Sequence, residues 1–121
     1  MILDSVKKIT FSNNQVKAKE WNKIKTFNLE GKTLGIVGMG AIGTHIAKIL
    51  CDGFGMKLIY NSQTPKERID KKYNTQMVSL NEVFKNADII SVNATYTENN
   101  ISMITYMSKI TIMIKITMIE I

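Results

Sequence analysis

An α/β fold with a doubly wound parallel sheet is predicted by three observations. A continuously apolar run, Thr33-Leu34-Gly35-Ile36-Val37, leads into Gly38-Met39-Gly40-Ala41-Ile42-Gly43 and then into a helix-like run from Ala41 to Leu50. Strand-like and helix-like stretches alternate after it, the order of a sheet wrapped by helices. The strand-like stretches are apolar on successive residues, as in parallel strands buried on both faces. Together these describe a Rossmann-type sheet, incomplete, with fewer strands than that fold carries when whole.

The glycines carry the first functional expectation. Gly38 allows a tight turn off the strand, Gly40 removes the side chain that would block a pyrophosphate, and Gly43 lets the helix press on the strand. The helix opening at Ala41 then turns free N–H groups and its positive dipole end toward the phosphates. The spacing therefore predicts a dinucleotide cradle on Gly38, Gly40, Ala41, Ile42 and Gly43.

Before the first strand, Ile2, Leu3, Val6 and Ile9 have helical spacing with one apolar face, and Ser12-Asn13-Asn14 reads as a break. A lysine-rich stretch around Trp21 follows, and Glu30-Gly31-Lys32 reads as the turn into the strand. In the helix after the glycines, Ile42, Ile46, Ile49 and Leu50 form one stripe expected to face the sheet. Asp52-Gly53-Phe54-Gly55 stops that helix, a glycine supplying the left-handed residue. Lys57-Leu58-Ile59-Tyr60 is the second strand, and a polar, charged loop with Pro65 comes next. Gln76-Met77-Val78 reads as a short strand. Ser79-Leu80-Asn81-Glu82 has capping-box spacing and opens a helix through Phe84, and Ala87 to Val92 is another buried strand.

The 121 residues suit one domain, and a hydrophobic share of 45% suits a packed core. A net charge of +6 comes from lysines scattered along the chain rather than gathered with arginines and aromatics, so a solvated face is expected and no nucleic-acid surface. The single cysteine, Cys51, excludes an internal disulfide framework, and the short apolar start broken by Asp4 is no signal peptide, which points to the cytoplasm. No cluster of metal-ligating residues stands out.

After Asn100 the composition changes. Residues 101–121 are almost wholly Ile, Met, Thr, Ser and Lys, and the charges of Lys109, Lys115 and Glu120 interrupt any membrane span. Alternation at Ile110, Ile112, Ile114 and Ile116 suits a strand, whereas the composition bias favours AT-rich DNA read out of frame. The chain thus divides into an N-terminal connecting segment, 1–28, a dinucleotide-binding unit, 29–100, and an atypical tail, 101–121.

The segment from Leu29 to Gly43 resembles the D-isomer-specific 2-hydroxyacid dehydrogenases, whose nucleotide domain opens with a tryptophan and then L-x-G-K-T-L-G-I-x-G-x-G-x-I-G. Trp21 lies at the expected distance upstream, Phe54-Gly55-Met56-Lys57 is similar to the family's turn into the second strand, and Ser79 to Val83 and Ala87 to Val92 are similar to its later stretch. The resemblance implies hydride exchange between NAD(P)H and a D-2-hydroxy or 2-keto acid. It also implies pairing through the nucleotide domain, with a second copy or a related subunit. Ala94 and Thr95 match positions that border the nicotinamide side, although Ala94-Thr95-Tyr96-Thr97-Glu98 lacks both family prolines.

The position where NAD-preferring relatives carry a ribose-binding aspartate falls on Ser62, between Asn61 and Gln63. With no carboxylate there to repel a 2′-phosphate, and with Lys66 and Arg68 just beyond, the cofactor reading of NAD or NADP tilts toward NADP. In the family, the substrate-clamping arginine, the glutamate and the proton-donating histidine lie beyond the stretch matched here, so no catalytic residue is expected in this chain. His45 and Cys51 read as helix-surface and packing residues, Trp21 as a packing residue, Glu82 as a cap and Asp88 as the entrance to a strand. The expected function is the NAD(P)-binding part of a D-2-hydroxyacid dehydrogenase, a fragment inactive alone. A non-catalytic nucleotide-binding or pairing module is the alternative.

Overall fold

The computed structural model of the chain describes residues 2–94 together with 114–115. Four parallel strands form one sheet: β1 (Thr33–Val37), β2 (Lys57–Asn61), β3 (Ile89–Val92) and β4 (Ile114–Lys115), in the order β2-β1-β3-β4. β1 pairs with β2 from Thr33↔Lys57 to Val37↔Asn61, and with β3 from Leu34↔Ile89 to Val37↔Val92. The order reverses direction between β1 and β3, which makes their carboxyl ends the place where a crevice opens in such sheets. β4 lies beside β3 with Ile114 opposite Ile89. The rest of the alternating run and of the tail lies outside the described residues.

Alternate residues of each strand feed two separate cores, as a period of two requires. Leu34, Ile36, Leu58, Tyr60 and Ile89 pack with Val6, Ala47 and Leu50 on one face. Val37, Ile90 and Val92 pack with Val83, Phe84 and Ala87 on the other. All four residues of β3 are buried, as a parallel strand covered on both faces should be.

The N-terminal segment corrects the expected break. Helix α1 (Ile2–Lys7) ends at Lys8, whose φ of 51° is left-handed, and α2 (Ile9–Lys17) runs on through Ser12-Asn13-Asn14. The restart is set by Asp4, whose carboxylate accepts from the Thr10 backbone N–H at 2.7 Å and its hydroxyl at 2.9 Å. This side-chain cap outweighs the modest helix aversion of two asparagines. Val6 is buried, but Leu3 and Ile9 are not, so the apolar face is narrower than its spacing suggests. Trp21 is 90% exposed rather than packed, because residues 20–28 form no regular element and the chain is next anchored in the core at Leu29.

Helix α3 (Ala41–Ala47) continues as a π-helical turn, Lys48–Asp52. Its sheet-facing stripe is Gly43, Ala47 and Leu50, whereas Ile42 is 40% and Ile49 49% exposed. The helix approaches β1 so closely that only small residues fit at its first contacts; Ile42 and Ile49 turn outward, while Ile46 packs half-buried against the core and Leu50 is buried as the stripe predicts. Gly55, with φ of 67°, supplies the left-handed stop, its N–H donating to the Cys51 carbonyl.

Two further expectations change. Met77 makes a single bridge to Tyr60 instead of a strand through Gln76-Met77-Val78. The polar loop contains a helix, α4 (Glu67–Tyr73), with Glu67 and Asp70 in its first turn, Lys71 and Lys72 in its last, and Asn74 left-handed at its end. Helix α5 (Leu80–Asn86) begins with the capping box that the spacing predicts: Ser79 Oγ accepts from the Glu82 N–H at 3.3 Å, and Glu82 Oε2 accepts from the Ser79 N–H at 2.8 Å. The bonds from Ser79 hold the Glu82 carboxyl below its ordinary pKa. Ser79→Ala is expected to cost about 1 kcal/mol in a urea unfolding titration.

Candidate functional site

Three strand ends meet at the carboxyl edge of the sheet and are tied by backbone bonds. The Gly38 N–H donates to the Asn61 carbonyl at 2.9 Å, and the Asn93 N–H donates to the Val37 carbonyl at 2.7 Å. Gly38 has φ of 93°, and a Cβ there would stand 2.7 Å from the Asn93 carbonyl carbon and 2.8 Å from the Ala94 nitrogen. Only glycine satisfies both the torsion and the contact. The glycine thus brings Ala94 against the turn that opens α3.

Gly43 is the second constraint. A Cβ there would press on the Gly38 carbonyl oxygen and stand 3.1 Å from Ile36 Cγ2. Gly40 is different: it has ordinary torsions, and a Cβ built on it meets nothing within 4 Å. The space beside it belongs to no atom of the described residues. No side chain caps α3, and its first turn closes with the Thr44 N–H on the Gly40 carbonyl at 2.9 Å. The N–H groups of the preceding residues have no helical partner, so donors and open space coincide, which suits an anion.

At the end of β2, Asn61 and Ser62 are half-buried and Gln63 is exposed. The Asn61 amide nitrogen is engaged, donating to the Val78 carbonyl at 2.8 Å. Asn93, just past β3, carries no signal in the sequence that marks it as a site residue, standing between the buried strand and Ala94. Its Nδ2 donates to Ser91 Oγ at 3.1 Å, while its Oδ1 is buried and meets no donor among the described residues. Leaving such an acceptor unmet costs about 1–3 kcal/mol, which a ligand hydroxyl or amide would relieve. Thr95 lies outside the described residues.

The remaining candidates stand apart from this edge. His45 is exposed on α3, and Arg68 is exposed on α4. Cys51 is half-buried against the core, where burial first and the neighbouring Asp52 second push its thiol up to about 11. So little thiolate exists near neutral pH that it behaves as a small apolar side chain. Asp88 accepts from the Thr33 N–H at 2.8 Å and so pins the entry of β1 to that of β3. Among the described residues no group of acids, histidine and cysteine could hold a metal ion, and no helix is long and apolar enough to cross a membrane.

Fold and edge together define a dinucleotide-binding α/β domain. The family model described as "D-isomer specific 2-hydroxyacid dehydrogenase, NAD binding domain" matches residues 1–113, and the chain belongs to that family. It is 33% identical to a glyoxylate reductase of Aeropyrum pernix, over 81% of this chain and 32% of that protein. It is 34% identical to a glyoxylate reductase of Thermococcus litoralis, over 86% of this chain and 34% of the relative. Among solved structures it superposes on D-lactate dehydrogenase from Aquifex aeolicus, complexed with NAD and lactic acid, with a TM-score of 0.77 and 30% identity, over 85% of this chain and 31% of that one. The chain therefore spans about one third of the length of the relatives it matches.

Proposed function

We propose that this chain is the dinucleotide-holding part of a D-2-hydroxyacid dehydrogenase, with Gly38, Gly40, Ala41, Ile42 and Gly43 at the pyrophosphate. Asn61, Ser62 and Gln63 meet the adenosine ribose, Asn61 through its remaining amide oxygen, and Ala94 and Thr95 border the nicotinamide side. The observation that carries this reading is Gly40, a backbone position facing open space beside uncapped N–H groups, in a chain of an NAD-binding family. A bound nicotinamide would supply or accept the hydride for a D-2-hydroxy or 2-keto acid. The chain's own residues hold the cofactor and orient it. Its one histidine, His45, and its one arginine, Arg68, lie on helices rather than on the strand-end loops, so neither serves the substrate, and the chain alone does not turn over.

The cofactor reading favours NADP over NAD, because Ser62 stands where a carboxylate would repel a 2′-phosphate and no ion pair among the described residues neutralises Lys66 or Arg68. In this reading residues 1–28 connect, 29–100 bind, and 101–121 are a tail read out of frame, which translating the neighbouring frames of the coding DNA tests. The single thiol and the dinucleotide site fit a cytoplasmic protein. Pairing through this domain is the second reading, favoured by the exposed Ile9, Phe11, Val16, Trp21 and Phe27. Titrating the pure chain with NADPH and NADH, read by nicotinamide fluorescence, is expected to show binding of both, NADPH about tenfold tighter, or about 1.4 kcal/mol. Glyoxylate and hydroxypyruvate should then give no turnover. Binding of neither dinucleotide by a folded chain overturns the reading, and sedimentation of the same sample reads the pairing.

A further inference from the structure

Tyr60, the fourth residue of β2, has 0% exposure, and phenylalanine would fill the same space. A phenol buried this deeply has to find partners for its hydroxyl, and both lie on the segment that follows. The Tyr60 hydroxyl accepts from the Lys66 backbone N–H at 2.8 Å and donates to Asp70 Oδ1 at 2.7 Å. Lys66 is the residue before α4, and its own carbonyl accepts from the Ile69 and Asp70 N–H groups at 2.8 and 2.9 Å. One hydroxyl therefore grips the first turn of α4 at two points and fixes where the chain between Ser62 and Lys66 must run.

That chain carries charge to a particular place. Between α3 and α4 lies a half-open cleft of about 660 Å³, whose lining includes Lys48 from one side and Lys66 and Arg68 from the other. None of these three is in an ion pair among the described residues, whereas Lys72, further along α4, is neutralised by Asp52 at 2.6 Å. Among the described residues Glu67 is the one acid in the lining. The Lys66 ammonium stands 3.4 Å from the Thr64 hydroxyl, so its side chain leans back over the turn that follows Ser62. Two of these uncompensated cations, Lys66 and Arg68, thus lie on the segment that directly follows Asn61, Ser62 and Gln63, the residues assigned to the adenosine ribose, and Tyr60 holds that segment.

We propose that the Tyr60 hydroxyl is a positioning group for cofactor selectivity: by clamping Lys66 and Asp70 it places the cations that favour a ribose 2′-phosphate over a free ribose hydroxyl. The assignment rests on the dinucleotide reading above and extends it to a residue that touches no cofactor. A purely structural tyrosine would weaken both cofactors alike when altered. A positioning tyrosine moves their ratio.

The test uses the full chain, with Kd for NADPH and NADH measured by nicotinamide fluorescence on wild type and Tyr60→Phe. NADPH affinity is expected to fall about tenfold and NADH affinity less than about twofold, the scale of one lost hydrogen bond to an ordered segment. Asp70→Asn keeps an amide oxygen to accept from the phenol and should retain the wild-type ratio, whereas Asp70→Ala should follow Tyr60→Phe. An unchanged ratio in both Tyr60→Phe and Asp70→Ala, or an equal loss for both cofactors, overturns the selectivity role and leaves the dinucleotide reading standing. A folded wild type that binds neither dinucleotide overturns both.

Discussion

Gly40→Val is expected to leave the fold standing and to remove dinucleotide binding. The backbone at Gly40 has φ of −84° and ψ of −159°, which any residue adopts, and a Cβ there touches nothing within 4 Å. Packing therefore demands no glycine at this position, and the N-cap preference for glycine over valine is worth only about 1 kcal/mol. The unsatisfied donors at the start of α3 do, because an anion can reach them only if the space beside Gly40 stays empty. An isopropyl group fills that space and holds a phosphate away from the N–H groups. The expected result is a folded protein that loses no more than about 1 kcal/mol in urea and a dissociation constant raised at least about 100-fold, or about 2.8 kcal/mol. If Gly40→Val binds NADPH as wild type does, the pyrophosphate lies elsewhere and the assignment of the whole cradle fails.

The same contrast explains what could be read from the sequence. β1 and its glycine loop were legible because a buried parallel strand and a phosphate turn impose composition locally, residue by residue. The capping box of α5 was legible for the same reason, its two partners being three residues apart. α4 carried ordinary signals, with Pro65 ahead of it and acids before bases, yet these read equally well as a charged loop because no apolar stripe accompanied them. Ile42 and Ile49 were misplaced because periodicity ranks side chains by hydrophobicity, whereas close approach ranks them by size. The partners of Tyr60 lie six and ten residues further on, on a helix whose position only the packed sheet defines. Gly35 sits inside the apolar run with no signal of its own, although its missing side chain is what lets α5 lie down on β1.

Gly43→Ala is expected to do the reverse of Gly40→Val and fail by unfolding. A Cβ at Gly43 presses on the Gly38 carbonyl oxygen, with the carbonyl carbon 3.3 Å away and Ile36 Cγ2 3.1 Å away. The Gly38 carbonyl cannot swing aside, since Gly38 is held by its N–H bond to Asn61 and packed against Asn93 and Ala94. Relief requires α3 to lift from β1, which uncovers Ala47 and Leu50 at the centre of one core. Overpacking against fixed backbone of this kind is expected to cost at least about 3 kcal/mol, a large share of the roughly 5–15 kcal/mol that holds an intact domain together. At Gly35 a Cβ would meet Val83 Cγ1 on α5 and the Cβ of Ala87, the residue that follows α5, both at 2.7 Å, so the strain falls on side chains at the end of that helix. Those can shift with their helix, and Gly35→Ala should cost less, about 1–2 kcal/mol. Urea unfolding of the three alanine variants should therefore rank them Gly40, Gly35, Gly43 in rising cost. A Gly43→Ala protein as stable as wild type would mean that α3 does not seat on β1 through this glycine, and that the N–H groups assigned to the phosphates are not held where the fold places them.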